Sequence, residues 1–130
     1  MSPALDVEIH GAEDEEERGL VRAASAAAAA GGAPDGHLAV AFVDEEAIRA
    51  LNRAHRAKDA PTDVLSFPVD GTGQTVGPRE LGDVVVCRAR TRDVEEAVVH
   101  GVLHLCGLDH EDDEGEMLAL QERVLEALRP

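Results

Sequence analysis

The sequence predicts an α+β fold, a single domain over residues 1–130 with a mixed sheet of about four strands packed with helices. Three observations lead there. Short apolar or alternating stretches are interleaved with stretches of helical periodicity. Their order reads β-α-β-α-β-β-α-α, without a repeat or an internal boundary. The length, 130 residues, suits one hydrophobic core. With two Phe, no Trp and no Tyr in a chain that is 44% hydrophobic, that core has to be filled by Ala, Val, Leu and Ile.

The first element is "LDVEIH" (5–10), where Leu5, Val7 and Ile9 alternate with polar residues as in a half-buried strand. "EDEEERGLVRAASAAAAAGG" follows, acidic at its start, alanine-rich to its end and closed by Gly31 and Gly32. Negative charge at the positive end of the helix dipole and a glycine stop mark it as a helix. "HLAVAFV" (37–43) reads as a buried strand. Asp44 is placed to cap "EEAIRALNRAH", whose Ile48, Leu51 and His55 share a face. After the loop "AKDAPT", "DVLSFPV" (63–69) is a strand that Pro68 assigns to an edge or an end. A glycine-rich, flexible loop, "DGTGQTVGPRE", leads to the strand "GDVVVCR" (82–88). Thr91 or Asp93 starts a helix running through Leu105, which Gly107 stops in the left-handed conformation. Asp113 and Glu116 are spaced as a capping box for the last helix, "EGEMLALQERVLEAL".

Composition excludes several function classes. No apolar run approaches the length of a membrane span, and "MSPALDVEIHG" lacks the basic start and apolar stretch of a signal peptide. Cys87 and Cys106 cannot form a disulfide framework, so a reduced, cytoplasmic protein is expected. The net charge of −15 argues against holding nucleic acid by bulk attraction. The charge is uneven, however. Runs at 13–17 and 111–116 hold ten of the 27 acids and read as solvated surface, whereas Arg49, Arg53, Arg56 and Lys58 form one basic stretch and Arg88, Arg90 and Arg92 another.

The chemistry concentrates in "HGVLHLCGLDH", residues 100–110. His100 and His104 lie four residues apart and project from one helix face on successive turns. Gly107 lets the chain turn back, so that His110 can supply a third ligand from the loop. Three neutral nitrogens leave an open position on a tetrahedral zinc, the arrangement of catalytic rather than structural sites. The spacing matches the metzincin proteases at every position but one. Where they carry a general-base glutamate, this chain has Gly101, which disfavours peptide hydrolysis by that route. Asp109 is expected to orient a ligand or cap the turn. Cys106 lies roughly 200° around the helix from His104 and is expected in the core. His10 and His37 sit at strand ends with no assigned chemistry, and His55 is left between the core and the basic stretch.

"LNRAHRAKDAPTDVLSFP" (51–68), "LGDVVV" (81–86) and the histidine motif together resemble the YbeY family of bacterial ribosomal RNA maturation factors. The resemblance spans roughly residues 37–110. It implies a single-strand-specific, metal-dependent endoribonuclease with a zincin-like zinc site at the end of a helix. It also implies a role in 16S rRNA 3′ end processing and in ribosome quality control. His100, His104 and His110 would hold one Zn2+. Arg56 matches the family's functional arginine, Asp63 the aspartate of "TDVLSF" and Asp83 that of "LGD". Arg56 and His104 are thus the candidate catalytic residues, with Arg56 clamping phosphate through its planar fork. Asp83, Asp109 or a metal hydroxide are the candidates for general base. His55 stands where an aromatic residue is common and "CGLDH" where "LLGYDH"-like endings occur, a departure that bears on base stacking. The expected partners are single-stranded or ribosomal RNA and small-subunit ribosomal proteins, whose basic surfaces suit an acidic chain; DNA and membranes are not expected.

Two other functions compete. A zincin-like hydrolase of another substrate would need a base from elsewhere, such as Asp109. A non-catalytic ribosome assembly factor would close its zinc with a fourth protein ligand, Cys106, Asp109 or Glu111 being the first suspects.

Overall fold

The computed structural model describes residues 5–111 and 113–129. Residues 1–4, which belong to the N-terminal stretch read for a signal peptide, and Asp112 of the second acidic run lie outside the described residues. The chain forms β1 (Leu5–His10), α1 (Asp14–Ala30), β2 (Gly36–Val43), α2 (Glu45–Arg56), β3 (Val64–Pro68), β4 (Glu80–Cys87), α3 (Val94–Leu105) and α4 (Glu116–Leu128). This is the order expected from the sequence, with one addition, a 3-10 turn over Arg88–Arg90.

The sheet order is β1-β2-β4-β3. β1 and β4 both run parallel to β2, and β3 runs antiparallel to β4 at the sheet edge, where Pro68 ends the strand without costing an interior hydrogen bond. The register of β4 on β2 shifts between His37 and Leu38, so that Leu81 is an extra residue. Such a bulge turns two consecutive residues toward one face. Leu81 accordingly joins the main core, while Gly82 lies close to Leu105 of α3.

Strand alternation divides the sheet into two unequal faces. Leu38, Val40, Val84 and Val86 meet α1, α3 and α4 in the main core. Ile48 of α2 packs with Leu65 and Cys87 in a smaller cluster on the opposite face, with Val85 and Phe67 against it. The alanine run of α1 has a packing reason. Ala23, Ala24, Ala27 and Ala28 are completely buried, and their short side chains bring α1 flush against its neighbours. A side chain at Gly31 would run into Cys106, so the ends of α1 and α3 meet closely as well.

Capping agrees with the sequence at two helices and departs from it at a third. Asp44 accepts from the Ala47 N–H at 2.8 Å, and Asp93 from the Glu96 N–H at 3.1 Å. The capping box expected from Asp113 and Glu116 does not form. Gly115, at φ 102°, occupies the N-cap of α4, and the helix starts only at Glu116. Asp113 still serves the helix from two residues further back, accepting from the Met117 and Gly115 N–H groups, each at 2.8 Å. Among the described residues, no helix is long and apolar enough to cross a membrane.

Candidate metal centre

α3 is gripped on one side by the sheet and offers its other side to a groove. The contact with the sheet is made at Gly101, where a Cβ would lie 2.5 Å from Val84 Cγ1 and 3.2 Å from Val64 Cγ2. Ser66 of β3 adds a hydrogen bond, its hydroxyl donating to the Gly101 carbonyl at 2.9 Å. With Gly101 turned to the sheet, His100 and His104 are left half-buried on the groove side. The residue after His100 therefore has no room for a glutamate and no path for it into the site. The chain leaves α3 through Gly107, at φ 94°, a conformation that favours glycine, and brings His110 back to the other two rings.

The ligand nitrogens of His100, His104 and His110 all lie within 4.8 Å of one another, so the three could hold a metal ion. The hydrogen bonds around them support that fit. Nδ1 of His100 lies 2.8 Å from Oε1 of Gln121, an acceptor, which places the proton on Nδ1 and a lone pair on Nε2. Nε2 of His104 lies 3.2 Å from Nε2 of His100. Two imidazoles on a tetrahedral zinc stand roughly 3.3 Å apart, nitrogen to nitrogen, close to the spacing found. Burial, then the neighbouring His100, push the His104 pKa below its ordinary value, with His110 adding to the shift while Leu108 and Asp109 oppose it. A neutral, ligating ring is thereby favoured.

The same groove, of about 1170 Å³, is also lined by Arg56, Thr62, Asp63 and Ser66. Arg56 ends α2, and the chain reverses immediately after it through Ala57 in the left-handed conformation, at φ 58°. Asn52, buried one turn earlier, donates to the Ala60 carbonyl at 2.8 Å and ties that loop down. Asp63 accepts from the Val64 N–H at 2.9 Å, which fixes the start of β3.

The other residues singled out in the sequence fall as follows. Asp109 lines the groove and accepts from the Glu111 N–H at 2.9 Å. Asp83 does not join the site. It alternates with Gly82 and Val84, which meet α3, and so projects from the opposite face of the sheet. It cannot act as base on anything held by the histidines. Cys106 is a core thiol beside Ala28 and Gly31, its pKa pushed up to about 11 chiefly by burial, which also disqualifies it as a fourth ligand. The His55 ring packs at a tilt against Phe67, ring centres 4.5 Å apart. The basic stretches break up: Arg49 pairs with Asp59, Arg88 with Glu16 and Arg90 with Glu45. A second group that could hold an ion, Asp6, Glu8 and His37, lies on the outer sheet face. Both ring nitrogens of His37 are already taken there, by Glu80 at 2.7 Å and Glu8 at 3.0 Å.

Gln121 and Arg92, both in the groove, were missed as site residues. A signal for Gln121 existed: it is a lone polar residue on the stripe Met117, Gln121, Val124, Leu128, which is buried throughout.

The model of the family described as endoribonuclease YbeY matches residues 7–129. The chain belongs to the YbeY family. A relative named endoribonuclease YbeY from Rubrobacter xylanophilus is 50% identical over 98 residues, covering 72% of this chain and 69% of the relative. Another of that name, from Bacillus cytotoxicus, is 41% identical over 118 residues, covering 74% and 76%. A Thermotoga maritima protein known from a solution structure superposes with a TM-score of 0.54 at 27% identity, over 94% of this chain and 88% of that one.

Proposed function

We propose that this chain, acting as one domain over residues 1–130, is a zinc-dependent endoribonuclease. On this reading it cuts single-stranded RNA in the cytoplasm during ribosomal RNA maturation, at the 3′ end of 16S rRNA. The observation that carries the reading is the meeting of Arg56 with His100, His104 and His110 in one groove, in a chain of the endoribonuclease YbeY family. When bound, the zinc would supply Lewis-acid stabilisation of the charge that builds on the reacting phosphate. The protein supplies the rest. His100, His104 and His110 are the proposed ligands, and Gln121 holds the His100 ring with Nε2 free for the metal. Arg56 binds two phosphate oxygens through its fork and stabilises them as negative charge grows. Its position is set by the loop that Asn52 anchors. Of the two carboxylates considered as base, Asp109 is the one in the groove. A net charge of −15 suits docking to basic small-subunit ribosomal proteins, which would bring the groove to an RNA the chain does not attract by bulk charge.

The test is cleavage of matched single-stranded and duplex RNA by the wild type, Arg56→Ala and Arg56→Lys. Cutting confined to the single strand, reduced about 100-fold or more in Arg56→Ala and poorly restored by lysine, is expected for a bidentate clamp on the reacting phosphate. Equal rates for all three proteins would remove Arg56 from the chemistry.

A further inference from the structure

Arginines in this chain are outnumbered, since 12 basic residues face 27 acidic ones. Of those away from the histidines, Arg49, Arg79, Arg88 and Arg90 each stand within reach of a carboxylate, and the others show no ion pair among the described residues. Two of the unpaired arginines line the groove. Among the described residues, neither Arg56 nor Arg92 has an ion-pair partner. For Arg92 this is notable, because acids are close at hand. Asp93 follows it directly, but its side chain caps α3.

The backbone around Arg92 is held on both sides. Before it, the Thr91 N–H donates to the Arg88 carbonyl at 3.1 Å and the Thr91 hydroxyl to the Cys87 carbonyl at 2.5 Å. After it comes the capped first turn of α3, the helix that carries His100 and His104. An exposed arginine is thus presented from a fixed point in the groove that the histidines line. The groove also carries the carboxylates of Asp63, Asp93, Glu96, Asp109 and Glu111, which would repel a polyanion. A phosphate chain can settle there only along a path marked by cations.

We propose that Arg92 is a substrate-binding residue that holds a second phosphate of the RNA strand, away from the one cut at the histidines. This rests on the endoribonuclease reading and adds a direction to it: the strand runs past the start of α3. Arg92 takes part in binding rather than in the chemical step, so its loss raises KM and leaves kcat nearly unchanged.

The experiment measures kcat and KM on a single-stranded RNA across a range of monovalent salt, for wild type, Arg92→Ala, Arg92→Lys and Arg90→Ala. Arg92→Ala should raise KM about tenfold and keep kcat within about twofold. Its dependence of log KM on log salt should be shallower by about 0.7, the value for one phosphate contact on a single strand. Arg92→Lys should recover most of the affinity, and Arg90→Ala, already paired with Glu45, should behave as wild type. An Arg92→Ala protein with wild-type KM and salt slope would overturn the proposal, as would a loss confined to kcat. Wild type that fails to cut RNA at all would instead bring down the endoribonuclease reading, so the two failures are distinguishable. Melting temperatures check folding, which the removal of an exposed, unpaired side chain should not disturb.

Discussion

Replacing Gly101 by alanine adds one methyl group to the contact that aims the histidines. Its Cβ would stand 2.5 Å from Val84 Cγ1, where carbon atoms prefer roughly 3.5–4.0 Å. Val84 cannot step aside, because it is fully buried on β4 between β2 and β3. α3 has to move outward, by about 1 Å on the preferred carbon spacing. Overpacking of this kind costs about 1–3 kcal/mol, and strain on the Ser66 bond to the Gly101 carbonyl adds about 1 kcal/mol. Alanine returns about 1 kcal/mol through its better helix propensity. The net loss should be about 2 kcal/mol, or roughly 6–10 °C in melting temperature for a domain of this size. Urea unfolding of wild type, Gly101→Ala, Val84→Ala and the double variant measures it. In the Val84→Ala background the 2.5 Å clash is gone and only the milder approach to Val64 at 3.2 Å remains, so the alanine at 101 should cost much less, giving a coupling of about 1–3 kcal/mol. A Gly101→Ala protein as stable as wild type in both backgrounds would refute the argument, and with it the steric reason why no glutamate stands after His100.

Other perturbations follow from the same contacts. Gln121→Leu should weaken metal affinity about 10–100-fold, read by competition with a chelator, because His100 loses the partner that orients it; unchanged affinity would count against that role. Asn52→Ala should cost about 1–2 kcal/mol in urea unfolding by leaving the Ala60 carbonyl without its donor, and RNA cleavage should fall because Arg56 begins the same loop. For His37, burial acts to lower the pKa, but the carboxylates of Glu80 and Glu8 outweigh it and the net shift is upward. The stabilisation from this group is fully present below the unfolded value of about 6.5 and is lost as pH rises through the raised folded value. Wild type should therefore exceed His37→Gln in stability by more at pH ~5.5 than at pH ~9, and a gap independent of pH would contradict the linkage.

Much of the fold was legible because it is written in local patterns. The alternation of Leu5, Val7 and Ile9, the caps at Asp44 and Asp93, and the stop at Gly107 each depend on residues within one turn or one strand. The three histidines were legible for the same reason, since helix spacing and one glycine bring them together. What escaped depends on distant parts of the chain. Gln121 meets His100 only because α4 docks on α3, 21 residues away in sequence. Asp83 looked like a site residue by motif, but the bulge at Leu81 and the alternation beyond it turn Asp83 to the far face. Arg88, Arg90 and Arg92 read as one basic cluster, yet the 3-10 turn sends the first two to different acids and leaves the third in the groove. The capping box at Asp113 failed because Gly115 in a positive-φ conformation delays the helix start.

The most direct measurement of the central claim, that three histidines hold the ion on which RNA cleavage depends, is a zinc titration of metal-free protein with bound metal and RNA cleavage followed together. Cleavage should rise in step with occupancy and saturate at one ion per chain, and His104→Ala should neither bind tightly nor cut. Full cleavage by the metal-free protein, or by His104→Ala, would contradict it.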